Sequence, residues 1–124
     1  MKKRVVESFL KYLQNKGFKN IKLIEPFDQN SISDQNLAIE NELNVDISAE
    51  SNGVFYFYKY VEGKKAEQSQ MLDTCRTYQQ NKNEKPSRLR LLVPAQNSDA
   101  VIQSLNSHQF ENVGVVRINS ARNH

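Results

Sequence analysis

The sequence predicts an α/β (α+β) fold in which helices flank a single mixed β-sheet, with the elements in the order α-β-β-β-α-β-α-β. Apolar residues that recur at three- and four-residue steps indicate the helices, and short runs rich in β-branched and aromatic residues indicate the strands. A tight turn joins two of the early strands, whereas helical segments separate the later ones. A chain of 124 residues in this order fits one domain, residues 1–124.

The first predicted helix covers residues 3–16 and ends at Gly17, a residue typical of the position just after a helix. Its apolar stripe consists of Val5, Val6, Phe9, Leu10 and Leu13. Residues 21–24 predict a short strand that stops before Pro26. Residues 28–43 are rich in Asn, Gln and Ser, and we interpret them as a long loop with a short strand or helical turn.

Residues 45–50 and 54–61 are β-rich runs on either side of Asn52-Gly53, and Asn-Gly is the strongest short signal for a hairpin. A two-residue turn there sets Glu50 opposite Phe55 and, counting outward, Asp46 opposite Lys59. Side chains alternate along a strand, so one face is predicted to carry Asp46, Ser48, Glu50, Phe55, Phe57 and Lys59. The other face is predicted to carry Ile47, Tyr56, Tyr58 and Tyr60.

A second helix is predicted over about residues 65–81, with an apolar stripe of Ala66, Ser69, Met71, Leu72, Cys75 and Tyr78. Residues 89–93 are nearly continuously apolar, which is typical of an interior strand. The third helix begins near Asn97 or Ser98, either of which is a common N-cap residue, and Val101, Ile102 and Leu105 are predicted to face inward. Residues 113–118 predict the last strand.

The composition predicts a cytoplasmic protein with no membrane partner. Hydrophobic residues make up 38% of the chain and charged residues 25%, and no apolar run is long enough to cross a bilayer. The basic start at residues 1–4 is not followed by the apolar core of a signal peptide. Cys75 is the one cysteine, which suits a reducing compartment, and the two histidines, His108 and His124, provide little for a metal site. Any metal would then be a hard cation held by oxygen ligands.

The charges are unevenly distributed along the chain. The net charge is +3, but residues 1–24 carry seven bases and one acid, residues 25–62 one base and eight acids, and residues 63–124 nine bases and five acids. This pattern suits an oxygen-ligand metal centre flanked by a phosphate-binding surface. It equally suits ordinary solvated faces of amphipathic elements.

Several residues carry a resemblance to a nuclease family. Glu7 stands ten residues before Gly17-Phe18, Asp46 and Lys59 lie on the two arms of the hairpin, and residues 67–75 read EQSQMLDTC. With the order of elements over roughly residues 5–118, they resemble the PD-(D/E)xK nuclease superfamily, and within it the small Holliday-junction resolvase type. The resemblance implies a restriction-endonuclease-like fold, and it implies a homodimer because resolvase-like domains often act as dimers.

The resemblance also implies a metal-dependent site with Asp46, Lys59 and Glu7 as catalytic residues. In such a site carboxylates hold Mg²⁺ against the scissile phosphate, and the metal lowers the pKa of a bound water that the lysine orients. The sequence departs from the motif at Phe57, two residues before Lys59, where the family carries Glu or Asp. It also has Val45 before Asp46, where Pro is usual.

Two other carboxylates are candidates for the missing ligand. Glu50 shares a face with Asp46, so the pair would be the metal ligands, with Glu50 also catalytic, if the strand bends. Glu62-Gly63-Lys64 is a literal Glu-x-Lys sequence at a strand end. Asp46 and Lys59 are equally well explained as a cross-strand ion pair with no catalytic role.

Three functions therefore stand as hypotheses. The first is a degenerate nuclease-like domain that acts as a nucleic-acid-binding or partner-binding module. The second is an active Mg²⁺-dependent DNA endonuclease with a migrated carboxylate. The third is a protein-interaction or regulatory domain that does not bind nucleic acid and uses the hairpin edge or its tyrosines. The residues expected to bind nucleic acid are Lys2, Lys3, Arg4, Lys64, Lys65, Arg88 and Arg90.

Overall fold

The computed structural model describes residues 2–24, 45–64, 68–80 and 86–118. Three helices lie in these ranges: α1 (Lys2–Asn15), α2 (Gln68–Gln80) and α3 (Ser98–His108). Five strands accompany them: β1 (Lys19–Leu23), β2 (Ile47–Ser51), β3 (Val54–Tyr60), β4 (Ser87–Pro94) and β5 (Val113–Ile118). A short 3₁₀ turn, Ala95–Asn97, connects β4 to α3. The predicted order of elements is confirmed, and residues 28–43, Lys65, Ala66 and the tail after Ile118 lie outside the described ranges.

The strands form one sheet in the order β1-β2-β3-β4-β5. The first three strands are antiparallel to their neighbours, whereas β3 with β4 and β4 with β5 are parallel. A parallel pair requires a crossover connection, and helices α2 and α3 lie in those two connections. The predicted single mixed sheet is confirmed, with β4 in its interior.

Gly17 ends α1 as the sequence predicts. Its φ of 84° is left-handed, a conformation that costs glycine little because it has no Cβ atom. The Phe18 N–H donates to the Leu13 carbonyl at 3.1 Å, and the Gly17 N–H donates to the Gln14 carbonyl at 3.2 Å. These two bonds form a Schellman motif, which satisfies carbonyls at the end of the helix.

The hairpin between β2 and β3 also has the predicted turn. Asn52 and Gly53 both have positive φ, 53° and 79°, as a type I′ turn requires. Glu50 pairs with Phe55 and Ser48 with Phe57, so the predicted register is confirmed as far as Ile47 with Tyr58, whereas the ladder does not continue to the predicted pair of Asp46 with Lys59.

Two cores lie on opposite sides of the sheet. On the side covered by α1, the buried residues are Val5, Val6, Phe9, Leu13, Ile47, Ala49, Tyr58, Tyr60 and Leu92. On the side covered by α2 and α3, they are Ile24, Val45, Phe57, Val61, Met71, Cys75, Tyr78, Leu89, Leu91, Val93, Val101 and Leu105. We call these the α1 side and the α2/α3 side. The predicted division of the hairpin between two faces is confirmed.

Two details differ from the sequence-based expectation. Ser69 is exposed, and Thr74 is buried in its place, because the inward face of α2 follows residues 71, 74, 75 and 78 at helical spacing. Asn97 is the N-cap residue of α3 but makes no side-chain capping bond. Its Nδ2 donates instead to the Glu62 carbonyl at 2.6 Å, which ties the start of α3 to the segment after β3.

Candidate functional site

Asp46 and Lys59 lie where the ladder between β2 and β3 ends. The regular pairing stops at Ile47 with Tyr58, and the Asp46 N–H donates to the Tyr58 carbonyl, so the ladder does not continue to the predicted pair of Asp46 with Lys59. Both residues are charged and almost fully buried, with 7% and 8% of their surface exposed. Buried ionisable residues of this kind occur both in catalytic sites and in structural ion pairs.

Hydrogen bonds to Asp46 show what its carboxylate does in the fold. The Tyr60 N–H donates to Asp46 Oδ2 at 2.7 Å. The Asp46 N–H donates to the Tyr58 carbonyl, and the Asp46 carbonyl accepts from the Ile24 N–H, both at 2.8 Å. Asp46 precedes β2, where the chain leaves the regular ladder, so its carboxylate takes the place of a backbone carbonyl for β3. Part of its acceptor capacity is therefore used within the sheet.

Lys59 projects toward α2, where it influences Cys75. Burial raises the pKa of the Cys75 thiol to about 11, while Arg76 and Lys59 lower it. Cys75 is fully buried and its thiol is neutral at physiological pH, so it is not a reactive nucleophile.

Phe57 lies two residues before Lys59, where the resemblance to the nuclease motif predicts a carboxylate. Only 8% of its surface is exposed, and its ring packs edge-on against Tyr78 of α2 with centroids 6.4 Å apart. The surrounding side chains belong to the apolar core of the α2/α3 side. The position two residues before Lys59 is therefore part of the core, and it supplies no oxygen ligand.

Each of the other candidate carboxylates lies on another element or has a partner of its own. Glu50 is four residues along the chain, about 13 Å at the rise of an extended strand. Its Oε1 accepts a hydrogen bond from Asn20 Nδ2 at 2.9 Å. Glu7 is exposed on α1, which covers the opposite side of the sheet, and Glu62 pairs with Lys64 at 3.3 Å. Within the described ranges, no three His, Cys, Asp or Glu side chains form a group that could hold a metal ion.

The predicted nucleic-acid-binding residues that the structure describes lie at three separate places. Phe18, just after α1, packs on Tyr56 at a ring distance of 5.3 Å, so α1 ends near the hairpin and begins roughly 20 Å away. Lys3 and Arg4, both exposed, lie at that distant end. Arg88 and Arg90 lie on β4 beside Tyr56 and Tyr58. Lys64 is exposed after the end of β3, and nothing is described for Lys65 or for the side chain of Lys2.

Sequence analysis missed two residues near Arg88 and Arg90. Tyr12 is a large aromatic side chain of α1 with 49% of its surface exposed. The ammonium group of Lys16 lies over its ring, 5.6 Å from the centroid. The spacing of four residues between Tyr12 and Lys16 was the available signal, because residues four apart are neighbours on a helix.

Within the described ranges, no helix is long and apolar enough to cross a membrane. Comparison of the chain with protein-family models, with curated proteins and with solved structures finds no match.

Proposed function

We propose that this chain is a PD-(D/E)xK nuclease-like domain whose catalytic site has lost a metal ligand and which acts as a nucleic-acid-binding or partner-binding module. The observation that carries this proposal is Phe57, a buried core residue where the motif needs a carboxylate. Asp46 and Lys59, the other two residues of the hairpin that resemble the motif, are both buried where the β2–β3 ladder ends.

Among the residues that the structure describes, the donor set around Asp46 does not fit Mg²⁺. This ion holds its oxygen ligands at about 2.1 Å and is usually bound through one or two carboxylates together with water and substrate phosphates. Asp46 Oδ2 already accepts from the backbone of β3, and Phe57 has no ligand atom. Glu50 lies about 13 Å from Asp46 along the strand, so its carboxylate is too far away to bind the same ion. We therefore derive no hydrolytic step for this site.

The distribution of charge along the chain supports binding of nucleic acid. The first 24 residues and the second half of the chain are both basic, whereas the middle is acidic. Exposed arginine and lysine side chains favour a polyanion because phosphate contacts release bound counterions. The same proposal places the protein in the cytoplasm, and it includes a homodimer or another protein as a partner.

The decisive experiment incubates purified protein with Mg²⁺ or Mn²⁺ and supercoiled, branched or single-stranded DNA. We expect no cleavage. Cleavage that is lost in Asp46→Ala but kept in Asp73→Ala, an exposed carboxylate of α2, would instead establish an active endonuclease. If cleavage is also lost in Glu50→Ala, Glu50 is the migrated ligand. Cleavage that survives Asp46→Ala would come from another site or from a contaminant.

A titration with DNA at several salt concentrations distinguishes the nucleic-acid-binding hypothesis from the protein-interaction hypothesis. Binding of DNA should weaken steeply with salt, with a log–log slope of about −0.9 for each phosphate neutralised on a duplex. If no nucleic acid binds even at low salt, the protein-interaction hypothesis survives and the nucleic-acid function is wrong.

A further inference from the structure

A row of basic and aromatic side chains crosses the α1 side of the sheet. On β3 and β4, Tyr56 pairs with Arg88 and Tyr58 pairs with Arg90. Side chains of paired residues in neighbouring strands project to the same side, so the two arginines share the α1 side with the two tyrosines. Arg88 is exposed and Arg90 is half-buried.

Gly114 makes room for Arg90 on β5. A Cβ atom at this glycine would lie 2.9 Å from Arg90 Nη1, closer than real Cβ contacts allow. The guanidinium therefore lies across β5, directly over the backbone of Gly114. Arg88 reaches in the same direction, since its Nη1 lies 3.5 Å from Asn112 Oδ1 in the turn before β5. The Arg90 guanidinium thus lies over β5, and that of Arg88 lies beside the turn that precedes β5.

Aromatic rings connect these arginines to α1. Tyr56 and Tyr58 are nearly parallel, with centroids 6.2 Å apart and an interplanar angle of 11°. Phe9 packs on Tyr58 at 4.8 Å and on Tyr12 at 5.3 Å. Burial raises the pKa of Tyr58, as do Tyr56 and Tyr12, whereas Arg90 lowers it, so these groups act on one another electrostatically.

The resulting surface has cations at both ends and aromatic rings between them. We define the aromatic–basic surface as Tyr12, Lys16, Tyr56, Arg88 and Arg90. Of the exposed carboxylates, Asp73 and Asp99 belong to α2 and α3 on the opposite side, where they pair with Arg76 and Arg117, whereas Glu7 lies on α1 and Glu111 precedes Asn112. The aromatic–basic surface is therefore suited to a flexible polyanion with planar groups.

We propose that the aromatic–basic surface binds single-stranded nucleic acid, with its phosphates on Arg88 and Arg90 and an unpaired base stacked on Tyr12. This inference rests on the nucleic-acid-binding form of the proposed function and assigns it to one side of the sheet. Single strands are favoured because the bases of a duplex already stack on one another, whereas an exposed ring can accept an unpaired base. Arg88 and Arg90 are about 7 Å apart along β4, so each can contact a separate phosphate.

The test is an anisotropy titration of the full chain with labelled dT20, a single-stranded RNA of the same length and a 20-base-pair duplex at low salt. We expect both single strands to bind more tightly than the duplex. Arg88→Gln should weaken binding and reduce the log–log salt slope by about 0.7, the value for one phosphate contact with a single strand. Arg76→Gln is the matched control because it removes the same charge on the α2/α3 side, and it should leave the slope unchanged.

Two further variants test the stacking and the guanidinium position. Tyr12→Ala should lower the affinity for single strands about 5- to 150-fold, the range for one lost base stack, with little change in salt slope. Ala favours a helix and Tyr12 is half exposed, so this variant should fold. Gly114→Ala keeps every charge but displaces the Arg90 guanidinium, and it should weaken binding as well.

The outcomes separate this inference from the proposed function. If the wild-type chain binds nucleic acid but Arg88→Gln and Tyr12→Ala bind it equally well, the aromatic–basic surface is not the binding site. The proposed function would still stand. Duplex binding as tight as single-strand binding, unaffected by Tyr12→Ala, would overturn the stacking argument. If the wild-type chain binds none of the three probes, the nucleic-acid function itself is wrong.

Discussion

The strongest test of the degenerate site is to replace the core residue with the carboxylate that the nuclease motif requires. Phe57→Glu removes a ring that packs against Tyr78 and places an ionisable group in the α2/α3 core. Truncation of a buried Phe costs about 3–5 kcal/mol, and an imperfectly paired buried carboxylate adds to that cost. Lys59 lies two residues away on the same face and offsets part of it. We expect a loss of at least about 4 kcal/mol, against a total for 124 residues of about 6–19 kcal/mol.

Urea unfolding at several pH values measures this loss. Burial raises the pKa of the introduced carboxyl group above that of the unfolded chain, about 4.3. The charge penalty is therefore absent below about pH 4, where both states are protonated, and grows as the pH rises above it. Phe57→Leu is the control for lost volume, with an expected cost of about 1 kcal/mol at all pH values.

A different result would refute the reasoning. If Phe57→Glu loses less than about 1.5 kcal/mol at neutral pH, within the range of an ordinary substitution, the position tolerates a carboxylate and is not committed to the core. If the same variant also cleaved DNA with Mg²⁺, the hairpin would retain a complete site apart from one side chain.

Two further predictions concern buried groups near Lys59. Asp46→Ala removes the acceptor of the Tyr60 N–H and should cost about 1–3 kcal/mol in urea unfolding, whereas Asp46→Asn keeps an acceptor oxygen and should cost less; equal costs would contradict the assigned hydrogen bond. Because burial raises the pKa of Cys75 from 9.0 to about 11, its stabilising contribution is complete below pH 9 and is lost as the pH rises through 11. The stability difference between the wild-type chain and Cys75→Ala should therefore fall by about 2 kcal/mol between about pH 8 and pH 11, and a constant difference would contradict it.

The hairpin register was predictable because one local signal determines it. Asn52-Gly53 favours a two-residue turn, and counting from that turn places every pair up to Ile47 with Tyr58. The inward face of α2 was less predictable. Ser69 and Thr74 are both short polar residues, and only the packing of the helix against the sheet determines which of them is buried.

The roles of individual site residues depend on contacts that no local pattern encodes. Phe57 was recognisable as a departure from the motif, but its place in the core depends on Tyr78, which lies 21 residues further along the chain. The bond from Tyr60 to Asp46 depends on where the chain leaves the ladder. Arg90 lies over Gly114 because parallel strands bring residues 24 apart in sequence next to each other.

The alternation of side chains along β3 separates the two parts of the proposed function. Phe57 and Lys59 project to the α2/α3 side, while Tyr56 and Tyr58 project to the α1 side with Arg88 and Arg90. A phenylalanine rather than a carboxylate at position 57 therefore adds apolar contacts to the α2/α3 core without changing the charge or the rings of the aromatic–basic surface. Asp46 acts as a backbone acceptor at the end of the hairpin whose register brings the tyrosines and arginines together. The proposed binding on one side of the sheet therefore does not require a catalytic carboxylate on the other side, because each would depend on a different set of β3 side chains.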